Sequence, residues 1–255
     1  MLAVIHKSVA HAPEELSVPQ VSNPDSGTKG EDLLNKFKVA YPDAMSVHFD
    51  GNSAMAFTHK NQALLRPRTL AVIDDVYCIF IGMLENLPML RQRYGLTKTV
   101  NEVALIIEMY RSLRDRGSYS ADQVIGDLVG SFAFVLYDNK ERKLLVASDP
   151  RGKVAFYWGT AADGAIAFSD DAKLLKEGCG KSFAPFPQGC FFNTDGLHSF
   201  EHPMSPLKPV PRVDSQGQMC GSLFKVDNIH GAANGFEYGP TLGRSMTFPL
   251  PHHSE

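Results

Sequence analysis

The rhythm of apolar positions changes several times along the chain, and each change marks an element. Leu2 to Ile5 is a short, wholly apolar run that reads as a buried strand. Lys7 to Gly30 follows with Pro13, Pro19 and Pro24 among Ser, Asn, Asp and Gly, a structureless stretch of the kind that is either functional or mobile. Glu31 to Ala40 sets Leu33, Leu34 and Phe37 at helical spacing and stops before Pro42. Met45–Phe49 and Ala54–Thr58 flank the turn signal Asp50-Gly51-Asn52, and Leu70–Ile73 and Val76–Ile81 flank Asp74-Asp75, so two hairpins are expected.

The second half repeats the same alternation. Leu87 to Arg93 predicts a short helix. Val100 to Arg116 predicts the clearest one, with Val103, Ile106, Ile107, Tyr110 and Leu113 on one face. After a short helix at Asp122 to Leu128, strands are expected at Phe132–Tyr137, Lys143–Ala147, Ala155–Gly159, Ala165–Phe168 and Cys190–Asn193. From about Asp227 apolar periodicity vanishes, which suggests one domain over 1–226 and a flexible tail over 227–255. Many antiparallel-type strands with a few segregated helices predict an α+β sandwich rather than a doubly wound fold.

Composition narrows the function classes. The 255 residues, 44% hydrophobic and 21% charged, suit a globular domain with a full-sized core. A net charge of -3 argues against a nucleic-acid partner, since the densest basic cluster, Arg111 to Arg116, contains Asp115. The most apolar stretch, Leu70 to Leu84, is cut by Asp74 and Asp75 and falls short of the roughly 20 residues of a membrane span. The first residues lack the basic and longer apolar regions of a secretion signal. Four scattered cysteines make no disulfide framework, so a reducing compartment, cytosol or nucleus, is expected.

Several residues invite a chemical label, and each has a plainer reading beside it. Tyr94-Gly95-Leu96 reads as a helix stop, with Gly95 as a left-handed cap and Leu96 packing back. Leu113-Arg114-Asp115-Arg116 could bind an anion or partner, but arginines at a helix end more often meet carbonyls and carboxylates. Cys78 reads as a buried, inert thiol unless the fold brings a base beside it, in which case it is a displaced nucleophile. His198 and His202 have the spacing to share a metal on a helix, yet Pro203 and the strand-like setting disfavour one. His252-His253 read as solvated, and no metal or cofactor is expected.

Four segments in order carry a resemblance. Gly126-Asp127-Leu128-Val129-Gly130-Ser131-Phe132-Ala133-Phe134-Val135-Leu136-Tyr137-Asp138 resembles the D-L-x-G-x-F-A-F-x-L-Y-D run of class II glutamine amidotransferases, most closely the asparagine synthetase N-terminal domain. Asp149 to Tyr157, Phe168 to Leu175 and Phe186 to Gly189 are similar to that group's later motifs. Tyr94-Gly95-Leu96 and Leu113-Arg114-Asp115-Arg116, with Lys181 to Pro187 and Pro211 to Asp214, further resemble the plant aluminium-induced family named for YGL and LRDR motifs. That name records induction by aluminium and implies nothing about binding it.

The resemblance implies an N-terminal-nucleophile (Ntn) hydrolase fold, a four-layer αββα sandwich. It also implies where the machinery would stand. A Cys exposed by Met removal would attack with its own α-amine as base. An Asn and the next Gly would hold the oxyanion. An Arg and an Asp would clamp the glutamine. On these positions the chain carries Leu2 for the Cys and Ile81-Gly82 for the Asn-Gly pair, where Gly82 still offers an N–H. The Arg position falls at Thr69 with Arg68 one step away, and the Asp position at Val100 or Asn101. The bulk of Leu2 should also keep Met1 in place, and no phosphate-binding loop is present. The expectation is a non-catalytic protein of plant stress or hormone response, homodimeric by analogy or serving a protein partner such as an amidotransferase. The alternative is a residual amidohydrolase or small-ligand sensor, with Lys7 to Gly30 as a lid.

Overall fold

Period-two apolar runs become strands whose two faces enter two different cores. A computed structural model describes residues 1–18, 28–116, 120–215 and 217–227. Strand β1 (Leu2–Ile5) is the simplest case. Met1, Ala3 and Ile5 join one cluster while Leu2 and Val4 join another. The 3-10 turn Glu14–Leu16 and helix α1 (Gly30–Ala40) follow, then the hairpin β2 (Met45–Phe49) and β3 (Ser53–Phe57). A second hairpin is β4 (Arg68–Ile73) and β5 (Val76–Leu84), turned by Asp74 and Asp75, both at positive φ.

Helices α2 (Leu87–Arg93), α3 (Glu102–Arg116) and α4 (Ala121–Gly126) lead into β6 (Gly130–Asp138) and β7 (Lys143–Ser148). Then come β8 (Tyr157–Thr160), β9 (Ile166–Ser169), α5 (Ala172–Cys179), β10 (Phe183–Pro185), β11 (Cys190–Asn193) and β12 (Gly196–Ser199). A final hairpin joins β13 (Leu207–Val213) to β14 (Met219–Val226).

Two six-stranded antiparallel sheets form, in the orders β10-β8-β9-β1-β3-β2 and β12-β11-β7-β6-β5-β4. Between them lies an aromatic-rich core around Trp158, Phe168, Phe186 and Phe192. Outside the first sheet, Leu2, Val4 and Ala56 pack with Leu33 and Phe37 of α1 and Leu175 of α5. Outside the second, Cys78, Phe80, Phe132 and Phe134 pack with Ile106, Ile107 and Tyr110 of α3. The result is the expected αββα layering of an α+β protein. The second sheet is covered on both faces, which is why β5 and β6 are almost continuously apolar. Among the described residues, no helix is long and apolar enough to cross a membrane.

Differences from the sequence reading have local causes. Lys7 to Gly30 is not structureless where it is described. Residues 7–18 carry a 3-10 turn and bury Ala10 and Leu16 in the core between the sheets. The remainder, 19–27, lies outside the described residues, as does the expected tail from residue 228. The hairpin β13–β14 was not anticipated, because Pro209 and Pro211 interrupt the pattern of its first strand. Proline fits an edge strand, and this ribbon pairs only with itself.

Candidate functional site

Strands β1, β4 and β9 bring three charged groups together at one end of the first sheet. The Met1 α-amine, itself buried, ion-pairs with Asp170 Oδ1, and Arg68 Nε donates to Asp170 Oδ2 at 2.6 Å. Burial lowers the pKa of that amine, against the pull of Asp170 in the opposite direction. Ser169 Oγ donates to the Met1 carbonyl at 2.7 Å, so the first residue is held by its backbone as well. Arg68 also donates from Nη1 to the carbonyls of Thr58 (3.1 Å) and Lys60 (3.0 Å). Its guanidinium thus makes three hydrogen bonds to its own chain, through Nε and Nη1.

A cavity of about 310 Å³ opens beside this cluster. Lys60, Asn61, Tyr41, Tyr157, Asp171 and Lys173 are among its lining residues, with Met1, Arg68 and Asp170. Asp171 caps α5, accepting from the N–H groups of Lys173 (2.9 Å) and Leu174 (3.2 Å).

The positions implied by the resemblance do not converge on that cavity. Leu2 is fully buried in the layer under α1 and α5. Ile81 faces the core between the sheets. Val100 packs on the helix side of the second sheet, and its carbonyl accepts from Arg91 Nε at 2.6 Å. Asn101 Oδ1 accepts from the Ala104 N–H at 3.1 Å, a cap at the start of α3. Thr69 lies next to Arg68 in the chain, and its Oγ1 is buried without a hydrogen-bond partner. Of the positions compared, Arg68 alone lines the cavity.

Gly82 was expected to keep an available N–H. Instead it donates to the Pro67 carbonyl at 3.1 Å. Its φ is +123°, and a Cβ there would meet the Ser131 carbonyl oxygen at 1.9 Å. Close approach of β5 to β6 therefore requires glycine at this point.

The remaining candidates resolve into structure. Cys78 is fully buried against the helical layer, and burial pushes its thiol far up, leaving no thiolate to attack. Cys179 and Cys190 are pushed up to about 12 by burial as well. His198 stacks on Phe191 across β11 and β12, and His202 lies beyond the strand. Among the described residues, no group of three or more His, Cys, Asp or Glu could hold a metal ion.

Tyr94-Gly95-Leu96 is a helix stop. Gly95 has φ +67°, its N–H donates to Gln92 (3.2 Å), and the Leu96 N–H reaches back to Arg91 (2.8 Å), which together make a Schellman motif. In Leu113-Arg114-Asp115-Arg116, Arg114 bridges Asp115 (2.7 Å) and the buried Asp138 at the end of β6 (3.0 Å). Tyr110 donates to the same Asp138 oxygen at 2.9 Å. Sequence reasoning missed Asp138 and Asp170 as centres, although both stand inside the motifs it used; only the fold brings their partners to them.

Comparison with known proteins agrees with this architecture. The profile of a family described as "Aluminium induced protein" matches residues 2–226. A stem-specific protein, TSJT1, of Nicotiana tabacum is 42% identical over 149 residues, 58% of this chain and 99% of that protein. A probable glutamine-hydrolyzing asparagine synthetase of Dictyostelium discoideum is 39% identical over 97 residues, 38% of this chain but 16% of that protein. The Zea mays asparagine synthetase is 32% identical over 131 residues, 51% of this chain and 22% of its own length. The chain thus spans about a fifth of the synthetases it matches. Among solved structures, the glutamine PRPP amidotransferase of B. subtilis superposes with a TM-score of 0.50 at 13% identity, covering 78% of this chain and 48% of that one. At that identity the likeness concerns the fold alone.

Proposed function

The chain belongs to the aluminium-induced protein family, and from that premise we propose that it is a non-catalytic relative of glutamine-hydrolysing domains. In this reading it serves plant stress or hormone response through self-association or a protein partner, in the cytosol or nucleus. The observation that carries the reading is the dispersal of the catalytic positions into three separate apolar layers. Leu2, Ile81 and Val100 each sit in a different one, and none offers a nucleophile, an oxyanion donor or a carboxylate. The Gly82 N–H and the Arg68 guanidinium, which could still act, are engaged within the chain. Four free, buried cysteines support a reducing compartment.

Glutamine hydrolysis by the purified protein, followed as ammonia release, tests this directly. No rate above the uncatalysed background is expected. Turnover that disappears in Cys78→Ser or Arg68→Ala would overturn the reading and identify a replacement site.

One observation favours a second reading. The cavity beside Arg68 is lined by Lys60, Asn61 and Lys173 as well as by Asp170 and Asp171, a mixed charged wall that suits a small polar ligand. A mass increment that survives purification and disappears in Arg68→Ala would favour a ligand sensor over a purely protein-binding role.

A further inference from the structure

We propose that the outer edge of β4 is a self-association surface that receives the same strand of a second copy of this chain. The pairing is antiparallel, about a two-fold axis at Ala71. The inference rests on the self-association half of the functional reading and adds the surface that performs it.

Strand β4 ends the second sheet and is paired with β5 only. The Gly82 N–H donates to Pro67, so residues 67, 69, 71 and 73 turn their backbone groups inward to β5. Residues 68, 70 and 72 turn theirs outward. The Arg68 N–H is held by Gln62 Oε1 at 3.1 Å. The amides and carbonyls of Leu70 and Val72 face outward, and among the described residues no strand covers them.

The side chains of this edge are apolar on both faces and only half covered. Leu70 packs on the core between the sheets, Ala71 and Ile73 on the helical side, and Val72 is 44% exposed. Just before the strand, Leu64 is 98% and Leu65 72% exposed. A second β4 would extend both apolar layers at once.

Exposed edges are normally guarded, because they template pairing with another chain. The other edges here follow that rule better. The edge strand β10 is three residues long and is covered by the final hairpin, through Arg212 Nη1 to Phe183 O (2.8 Å) and Gly221 N to Lys181 O (2.7 Å). Strand β12 has four residues. At β2, Lys38 stands beside His48. Strand β4 has six residues with no lysine, no internal proline and no bulge in its ladder.

Charge selects the occupant and its direction. Arg66 precedes the strand, while Asp74 and Asp75 follow it. An antiparallel copy brings each basic end to an acidic end, twice; a parallel copy would set like charges together. Placing Leu70 opposite Val72 of the second copy uses all the free outward groups of both residues. Arg68 then faces Asp74 of the second copy, and Arg66, in the turn just before the strand, stands at the same end as Asp74 and Asp75 of that copy. Arg68 is held by Asp170 and Asp74 by Arg111 within one chain, so Arg66 and Asp75 are the charges at the two ends that meet no ion-pair partner among the described residues and can pair across the two copies.

Sedimentation of the full chain across the micromolar range tests the proposal. The wild-type protein is expected at twice the chain mass. Val72→Lys and Val72→Glu should each weaken the dimer at least about tenfold by setting like charges near the axis, while keeping the wild-type circular dichroism. An equimolar mixture of the two should regain the dimer. Hydrogen exchange on the wild type needs no variant. The Leu70 and Val72 amides should be slow in the dimer and speed up on dilution. A dimer that both variants form as strongly as wild type, or fast exchange at those two amides in it, would overturn the β4 assignment and leave self-association standing. Failure of the mixture to regain the dimer would overturn the pairing about Ala71. A wild-type chain that stays monomeric throughout would overturn both the surface and self-association.

Discussion

Gly82→Ala is expected to remove more than about 4 kcal/mol of stability and to leave most of the protein unfolded or aggregated. The new Cβ would stand 1.9 Å from the Ser131 carbonyl oxygen and 2.9 Å from the Phe132 Cα, both backbone atoms of the adjacent strand. Backbone cannot move aside as a flexible side chain can, and φ +123° is strained for alanine whatever the space. Gly51→Ala is the control. Gly51 also has a positive φ, +71°, but nothing lies within 4 Å of its added Cβ, so the cost should be about 1 kcal/mol. Urea melts of both variants separate strain from collision. A Gly82→Ala protein as stable as Gly51→Ala would mean that β5 and β6 can part without loss. The expected outcome gives this glycine, whose position the resemblance matches to the Gly of an Asn-Gly pair, a purely structural reason to be there.

Asp138→Ala should cost about 3 kcal/mol, the low end for breaking a buried ion pair, because Arg114 is partly exposed and keeps Asp115. The change removes the acceptor of Arg114 and Tyr110 on α3, and of the Lys140 and Glu141 N–H groups that shape the β6–β7 turn. One carboxylate joins the longest helix to the sheet it covers. Its pKa follows from the same contacts. Burial pushes it up, but the Glu141 N–H, Arg114 and the Tyr110 hydroxyl outweigh that and hold it below the ordinary 3.8. A lowered folded-state value means the stabilisation is complete above the unfolded value, near 3.8, and is lost as pH falls below it. Asp138→Asn keeps one of the two acceptor oxygens, enough for the Lys140 and Glu141 N–H groups, without the charge, so its melting temperature should fall less than that of Asp138→Ala. The share of the acid-dependent loss that Asp138 contributes should be absent from the Asn variant. Thermal melts between neutral and strongly acidic pH check both statements.

The sequence was most legible where one residue type answers one local demand. The runs Val76–Ile81 and Phe132–Tyr137 announced strands, and the periodicity of Val103 to Leu113 announced a helix with one apolar face. Gly95 announced its cap. The lack of chemistry at Leu2 and Ile81 was equally plain, since no environment gives those side chains a lone pair. What stayed hidden depends on partners far along the chain. Leu16 follows Glu14 and Glu15 in an irregular stretch with no apolar period, and nothing near it says that it fills a gap between two sheets. Asp170 meets Arg68 across 102 positions, and Asp138 meets Arg114 across 24. The prolines of β13 hid a hairpin whose purpose is to cover another strand. Register also decides which layer a side chain enters, so the dispersal of Leu2, Ile81 and Val100 could not be read from spacing.

The final hairpin has a practical consequence. Phe224 of β14 sets its ring edge-on to Trp158 at 5.6 Å, and Gly221 lies where any side chain would strike Leu16 or Phe183. Trp158 is the chain's only tryptophan. Its emission is therefore a built-in optical gauge of whether that closing ribbon is seated. Phe224→Ala should shift the native spectrum to the red, well before global unfolding, as water reaches the indole.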